Sequence, residues 1–275
     1  ATIIALAASA VLLCTFVALE HRVAHPLLPL HIVRDRARGG AYISVLLAAA
    51  GIFAVFFFLT YYMQQNLRIS PLTTGLAFLP MTAVLVATSV TAQTKLLPRT
   101  GAKPLLMVGM GLGVIAMIVF TRLTPASSYL SGILPGLLII GLGMGCIFAP
   151  AIGTATLGVD VHDTGVASAM VNTSQQIGGS VGLALLSTLS ASAASTYAAS
   201  HAHLRGLAAA AAIHGYTTAF TWSAGIFALG LLLALVILPW KTPRRACSLR
   251  AALANGIAYA HHYVESAHPV SVSDD

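Results

Sequence analysis

Seven stretches of this chain run for about twenty residues without a single Asp, Glu, Lys or Arg: residues 1–19, 41–62, 75–94, 104–121, 130–150, 165–190 and 215–238. Coiled at about 1.5 Å per residue, a run of that length spans the ~30 Å hydrocarbon core of a bilayer. Leu, Ala, Gly and Val fill the runs without the polar–apolar alternation of barrel strands, so helices are expected. Only 8% of the 275 residues are charged, against roughly 25% in soluble domains, too few to coat a water-facing surface. The sequence therefore predicts an all-α membrane protein with seven transmembrane helices.

The positions of Lys and Arg predict how these helices are threaded, because both residues favour the cytoplasmic side. One alternate set of connections holds eleven of them: Arg22, Arg34, Arg36 and Arg38, then Lys95, Arg99 and Lys103, then Lys241, Arg244, Arg245 and Arg250. The opposite set holds three, Arg68, Arg122 and Arg205. The first set is expected in the cytoplasm of a multi-pass cell-membrane protein, with the C-terminus inside. The net charge of +7 forms no basic stripe, so nucleic acid is not expected as a partner. Three cysteines, Cys14, Cys146 and Cys247, imply no disulfide framework.

Four regions follow. Residues 1–19, which lack a Met and the basic start of a signal peptide, are expected as a transmembrane helix belonging to a longer upstream region. Residues 20–40 form a basic cytoplasmic linker, broken by Pro26 and Pro29, with a short interfacial segment around Leu30–Arg38. Residues 41–240 form a six-helix bundle, and 241–275 a cytoplasmic tail. Within the bundle, Thr74-Gly75-Leu76-Ala77 and Thr164-Gly165-Val166-Ala167 open the second helix of each group of three. The two helices run in opposite directions, the pattern of a 3+3 inverted repeat.

None of the seven acidic residues lies in a predicted span, so no intramembrane ionisable group marks a site. The polar signal is instead NTSQQIGGSVG, residues 172–182. On a helix, Asn172, Gln176, Gly179 and, at the margin, Gln175 share one side, while Ser174, Gly178 and Gly182 form a ridge at every fourth residue. Small residues at that spacing let helices approach closely in lipid. Unpaired amides are costly in hydrocarbon, so the amide side is expected to face protein or a water-filled cavity. Gly141 and Gly145 make a similar packing ridge. Pro80 and Pro135 are expected to kink their helices, and Pro150 to end its own. Phe53, Phe56, Phe57, Phe58, Tyr61 and Tyr62 crowd the outer end of their span, with Gln65 at its mouth. Phe57, Tyr61 and Gln65 are weaker candidates for a substrate cavity. The residues imply no cofactor and no metal site; His201, His203, His261 and His262 are placed in loops and tail.

Taken in order, HPLLPL, FFFLTYYMQQNLRISPLTTGLAFLP, LLPRTGAKPLLMVG, LLPGLLIIGLGMGCIFAP and NTSQQIGGSVGLALLSTL resemble the major facilitator superfamily, most nearly its fourteen-span drug:proton antiporters of the EmrB/QacA type. The resemblance covers about residues 1–240. It implies the C-terminal six-helix half of a major facilitator fold, and an exporter of hydrophobic or cationic small molecules. Lipid, substrate, protons and the N-terminal half of the same transporter would be its partners. Arg99, Gly101 and Lys103 fall at the places of the family's cytoplasmic loop motif, but Pro98 stands where the motif has an acid. The family's proton-coupling acids are not matched in this half.

A seven-helix receptor or a non-transporting membrane module is the alternative reading. A retinal protein would need a lysine in 215–238, which has none, and a membrane enzyme would need a nucleophile with its base or paired acids in the spans. The orientation is testable with single cysteines at Arg34 and Ser127. An impermeant thiol reagent on intact cells is expected to label position 127 and spare position 34; the reverse pattern inverts the topology.

Overall fold

The computed structural model describes residues 35–156, 164–201 and 206–238, together with residues 8, 9, 11, 12, 14, 15, 18 and 19 of the first expected span, which are helical. Six helices long and apolar enough to cross a membrane follow: α1 Arg36–Asn66, α2 Pro71–Thr100, α3 Ala102–Phe120, α4 Tyr129–Ala155, α5 Gly165–Ser200 and α6 Leu207–Ile237. Among the described residues there is no strand. Most of the expected linker and all of the tail 241–275 lie outside the described residues.

Each helix coincides with an expected span and runs beyond it at one end or both, for local reasons. α1 starts at Arg36 rather than near residue 41 because Asp35 caps it: Oδ1 accepts from Ala37 N at 2.9 Å and Arg38 N at 3.1 Å. α2 starts at Pro71, with Ser70 Oγ accepting from Thr73 N at 3.2 Å. π-Helical turns at Tyr62–Asn66 and Tyr129–Ile133 add a turn to α1 and α4. Pro80 and Pro135 each follow a change of helix type, a turn at Phe78 and the π-turn before Leu134. Beside the break at Phe78, the Ala77 carbonyl accepts from Tyr129 Oη at 2.8 Å. The expectation for Pro150 is corrected: it lies inside a helix that continues to Thr156. In hydrocarbon a helix missing one N–H is still the cheapest arrangement for the remaining backbone groups, and the Pro150 carbonyl takes a bond from Thr154 Oγ1 at 2.7 Å.

Glycine sets how the helices meet. A Cβ at Gly178 would strike the Leu46 carbonyl and one at Gly182 would strike Ala50, so α5 lies directly on the α1 backbone. Gly141 and Gly145 of α4 sit 2.6 Å and 2.9 Å, measured from an ideal Cβ, from the Met81 and Leu85 carbonyls of α2. Residue numbers rise together across both seams, so each pair is parallel. Gly109 against Ile147, and Gly136 against Phe120, make α3 and α4 antiparallel. Gly51 and Gly113 both receive the ring of Phe227, and Gly230 receives Met110, which ties α6 antiparallel to α1 and α3. Hence α1, α3 and α5 run one way, and α2, α4 and α6 the other. α1 and α4 are the most enclosed helices and α2 the least.

One cation is inside this frame. Lys103, the second residue of α3, is buried, and its Nζ donates to the carbonyls of Leu235 at 2.7 Å and Leu238 at 2.8 Å. Those carbonyls belong to the end of α6, where no further N–H is available and positive charge is favoured. Gly101, at φ 81° and ψ 177°, makes the one-residue link from α2 that allows this placement. Replacing Lys103 with Met is expected to cost about 2 kcal/mol, the scale of charge-assisted hydrogen bonds. Thermal unfolding in detergent checks it, and Lys95→Met, at an exposed position, is the comparison expected to change little.

Candidate functional site

The stretch 172–182 lies wholly within α5. Ser174, Gly178 and Gly182 are buried against α1, and Ser174 satisfies its hydroxyl within the helix by donating to Met170 O at 2.8 Å. Gly179 lies under the ring of Phe53. Asn172 and Gln176 are exposed on the opposite side, and Gln175 is half-buried between the two faces. Thr173 and Ser180 extend the exposed polar strip. The small ridge and the amides thus occupy different sides of one helix, as the 100° step of a helix separates them.

The aromatic candidates form a second group. Phe53, Phe57 and Tyr61 repeat at every fourth residue along α1, each at least partly exposed. The Phe57 and Tyr61 rings are 4.8 Å apart, and Phe57 meets Phe58 edge-on at 5.2 Å. Phe58 itself is buried, and contacts Tyr216 and Phe220 of α6. Gln65 is exposed, with Oε1 accepting from Tyr216 Oη at 3.4 Å. Tyr62 faces the other way and is a structural residue: its Oη lies 2.7 Å from Thr124 O and 3.2 Å from Ser127 O, holding the loop between α3 and α4.

The two groups meet at one point, Phe53 over Gly179, and otherwise separate along α1. Gly178 lies level with Leu46 and Gly182 with Ala50, which puts Gln176 near the level of Ser44. Phe57 is then roughly 20 Å farther along α1. Phe57 and Tyr61 therefore lie well beyond the amides along α1, and Phe53, over Gly179, is the member of the aromatic row that reaches the amide stretch.

Gln93 is a further polar residue placed against a neighbouring helix. It lies in a π-turn, Ala92–Leu96, and its amide rests beside Gly153 of α4, 3.4 Å from where a Cβ would be. Such turns recur at functional positions, and spacing alone does not reveal them. Of the loop motif, Arg99 is exposed, Gly101 makes the tight link, and Lys103 is buried on α6. Burial of that lysine is what the sequence missed, since a basic residue at the end of a span reads as solvated. Among the described residues no three His, Cys, Asp or Glu side chains are grouped to hold a metal. Asp35, the acid among those residues, is engaged as a helix cap. The described geometry offers uncharged polar groups, aromatic faces and close-packed glycine seams.

The family profile described as Major Facilitator Superfamily matches residues 1–183. The puromycin resistance protein pur8 of Streptomyces alboniger is 40% identical over 84% of this chain and 46% of its own length. The cephamycin export protein CmcT of Amycolatopsis lactamdurans is 35% identical over 71% of this chain and 40% of its own length. The lincomycin resistance protein of Streptomyces lincolnensis is 33% identical over 66% of this chain and 37% of its own length. The chain thus spans less than half the length of the curated relatives it matches.

The two sides of α5 are expected to respond differently to bulk. Gly178→Leu forces a side chain into the Leu46 backbone and is expected to abolish the folded, monodisperse species seen by size-exclusion chromatography, since overpacking a tight seam typically costs about 1–3 kcal/mol or more. Gln176→Leu is expected to leave that species intact and to change transport or its substrate range. Equal losses of folding in both variants overturn the assignment of the two faces.

Proposed function

Since this chain belongs to the major facilitator superfamily, we propose that it is the C-terminal part of a multidrug-type secondary exporter that moves hydrophobic or cationic small molecules by alternating access with proton antiport. The observation that carries this reading is the uneven enclosure of the bundle. α2 is seamed by glycine to α4 and leaves most of its surface uncovered, and α5, seamed to α1 and through Gly215 to α6, leaves its remaining face uncovered. On α5 that uncovered face carries Asn172 and Gln176, whose amides are costly against lipid. A second six-helix half would cover both faces and enclose a cavity between them. Resistance and export in the names of the relatives support a drug-like cargo.

The pairing of helices supports a 3+3 repeat as the basis of rocking. Exchanging the first three helices for the last three turns the parallel α1–α5 seam into α4–α2, and the antiparallel α3–α4 contact into α6–α1. The described cations support the orientation. Arg36, Arg38, Lys95, Arg99 and Lys103 share one end and Arg68 and Arg122 the other, so the first end is cytoplasmic. In this reading Asn172, Gln175 and Gln176 line the inner part of the cavity. Phe57, Tyr61 and Gln65 line its outer mouth, where aromatic faces attract a cation.

The described spans hold no acid to carry a proton, so coupling would come from the other half. In inverted vesicles, residues 1–275 alone are expected to give no proton-gradient-driven efflux of a fluorescent cationic dye, and the chain joined to an N-terminal half is expected to give it. Uncoupler-sensitive efflux by residues 1–275 alone would falsify the division of labour proposed here.

A further inference from the structure

A cavity of about 610 Å³ opens where α3 ends and α4 begins, at the end of the bundle opposite Lys103. Part of its lining is polar: Arg122, Ser127 and Ser131. Another part is the apolar flank of α3, Ile115, Ile118 and Val119. Ile115 and Ile118 are about half exposed, so the cavity runs without a step into an uncovered apolar helix face.

The polar part is held in place. Arg122 N and Leu123 N bond back to Val119 O and Phe120 O, both at 3.2 Å, which turns the chain tightly after α3. Ser127 Oγ accepts from Thr124 N at 3.0 Å, and Ser127 N donates to Thr124 O at 3.0 Å. Tyr62 Oη clamps the carbonyls of both residues from α1. Ser131 Oγ pairs with Ser128 Oγ at 2.8 Å, and Ser128 caps the π-turn that opens α4. Arg122 itself is exposed, and its guanidinium has no ion pair or hydrogen bond among the described residues. Asp35, the acid among them, belongs to the other end of the bundle. A cation without an internal counter-ion, beside an apolar groove, at the level where a spanning helix leaves the hydrocarbon, has the chemistry of a lipid headgroup site.

We propose that this cavity binds one anionic phospholipid, with its phosphate on the Arg122 guanidinium, its headgroup hydroxyls toward Ser127 and Ser131, and an acyl chain along Ile115 and Ile118. The volume takes a phosphoglycerol group and the first carbons of its chains, not a whole lipid. The guanidinium fork suits two phosphate oxygens at once. The apolar flank distinguishes a lipid from a free phosphate, which would gain nothing from Ile115 and Ile118.

Native mass spectrometry of the purified protein, titrated with phosphatidylglycerol or phosphatidylcholine in neutral detergent, tests this. Wild type is expected to retain one phosphatidylglycerol at least tenfold more tightly than phosphatidylcholine. Arg122→Gln should abolish that preference, and Arg68→Gln, the same charge change at the same end, should keep it. Ile118→Ser should weaken phosphatidylglycerol while leaving the headgroup preference in place. Unchanged thermal midpoints of Arg122→Gln in lipid-free detergent exclude misfolding as the cause. Equal loss in Arg68→Gln and Arg122→Gln, equal affinity for the two lipids, or displacement of the lipid by glycerol phosphate at matching concentration each overturns the proposal, the last in favour of a free anion.

Discussion

In hydrocarbon there is no water to drive apolar helices together, so contact between them depends on how closely their surfaces fit. The ring of Phe227 is the clearest instance. It projects from α6 into two sockets at once, over Gly51 of α1 and over Gly113 of α3, and a Cβ at either glycine would collide with it. Phe120 seats over Gly136 in the same way and touches Phe220, which in turn meets Phe58. Aromatic knob and glycine socket form a continuous chain through α1, α3, α4 and α6. Position along these helices is therefore set mainly by side-chain shape, with the Lys103 bonds from α3 to the end of α6 as the polar addition.

That mode of packing also decides what is left uncovered. α5 reaches the bundle through a seam of Ser174, Gly178 and Gly182 against α1, and α2 through Gly141 and Gly145 of α4. A seam made of backbone contacts is narrow, so α2, held along one line, shows most of its circumference, and α5, held on a second side by Gly215 of α6 against Ser190, still leaves its amide side open. Hydroxyls in and beside the seams avoid any cost by bonding back to their own helix, as Ser44 does to Gly40 O at 2.8 Å and Ser223 to Ala219 O at 2.9 Å. Amides have no such short route, which is why the exposed side of α5 and not its seam carries Asn172 and Gln176.

The positions of the six helices were legible because a charge-free run of twenty residues has few alternatives in a bilayer. Their ends were less so. Asp35 and Ser70 act as caps only once the helix exists, and π-turns at Tyr62, Ala92 and Tyr129 leave no periodic mark short enough to separate from the α pattern. The separation of Gly178 from Gln176 followed from the 3.6-residue period alone. The distance between the amides and Phe57 did not, because it depends on the stagger of α5 along α1, and glycine contacts set that stagger. Lys103 escaped for a different reason: its partners are carbonyls of Leu235 and Leu238, and a backbone acceptor has no signature in a sequence.

The Lys103 contact bears on the order in which the protein is built. Its two acceptors lie at the end of α6, the last of the six helices to leave the ribosome, whereas the lysine itself arrives with α3. Throughout the synthesis of α4 and α5 the ammonium has neither carbonyl to bond and belongs in the hydrated headgroup layer, which holds the start of α3 at the membrane surface. Seating of the side chain is then a late event that cannot precede completion of the bundle. A chain stopped before Leu235 would keep that ammonium in the headgroup layer, and so would be distinguishable from a finished one at the level of a single residue.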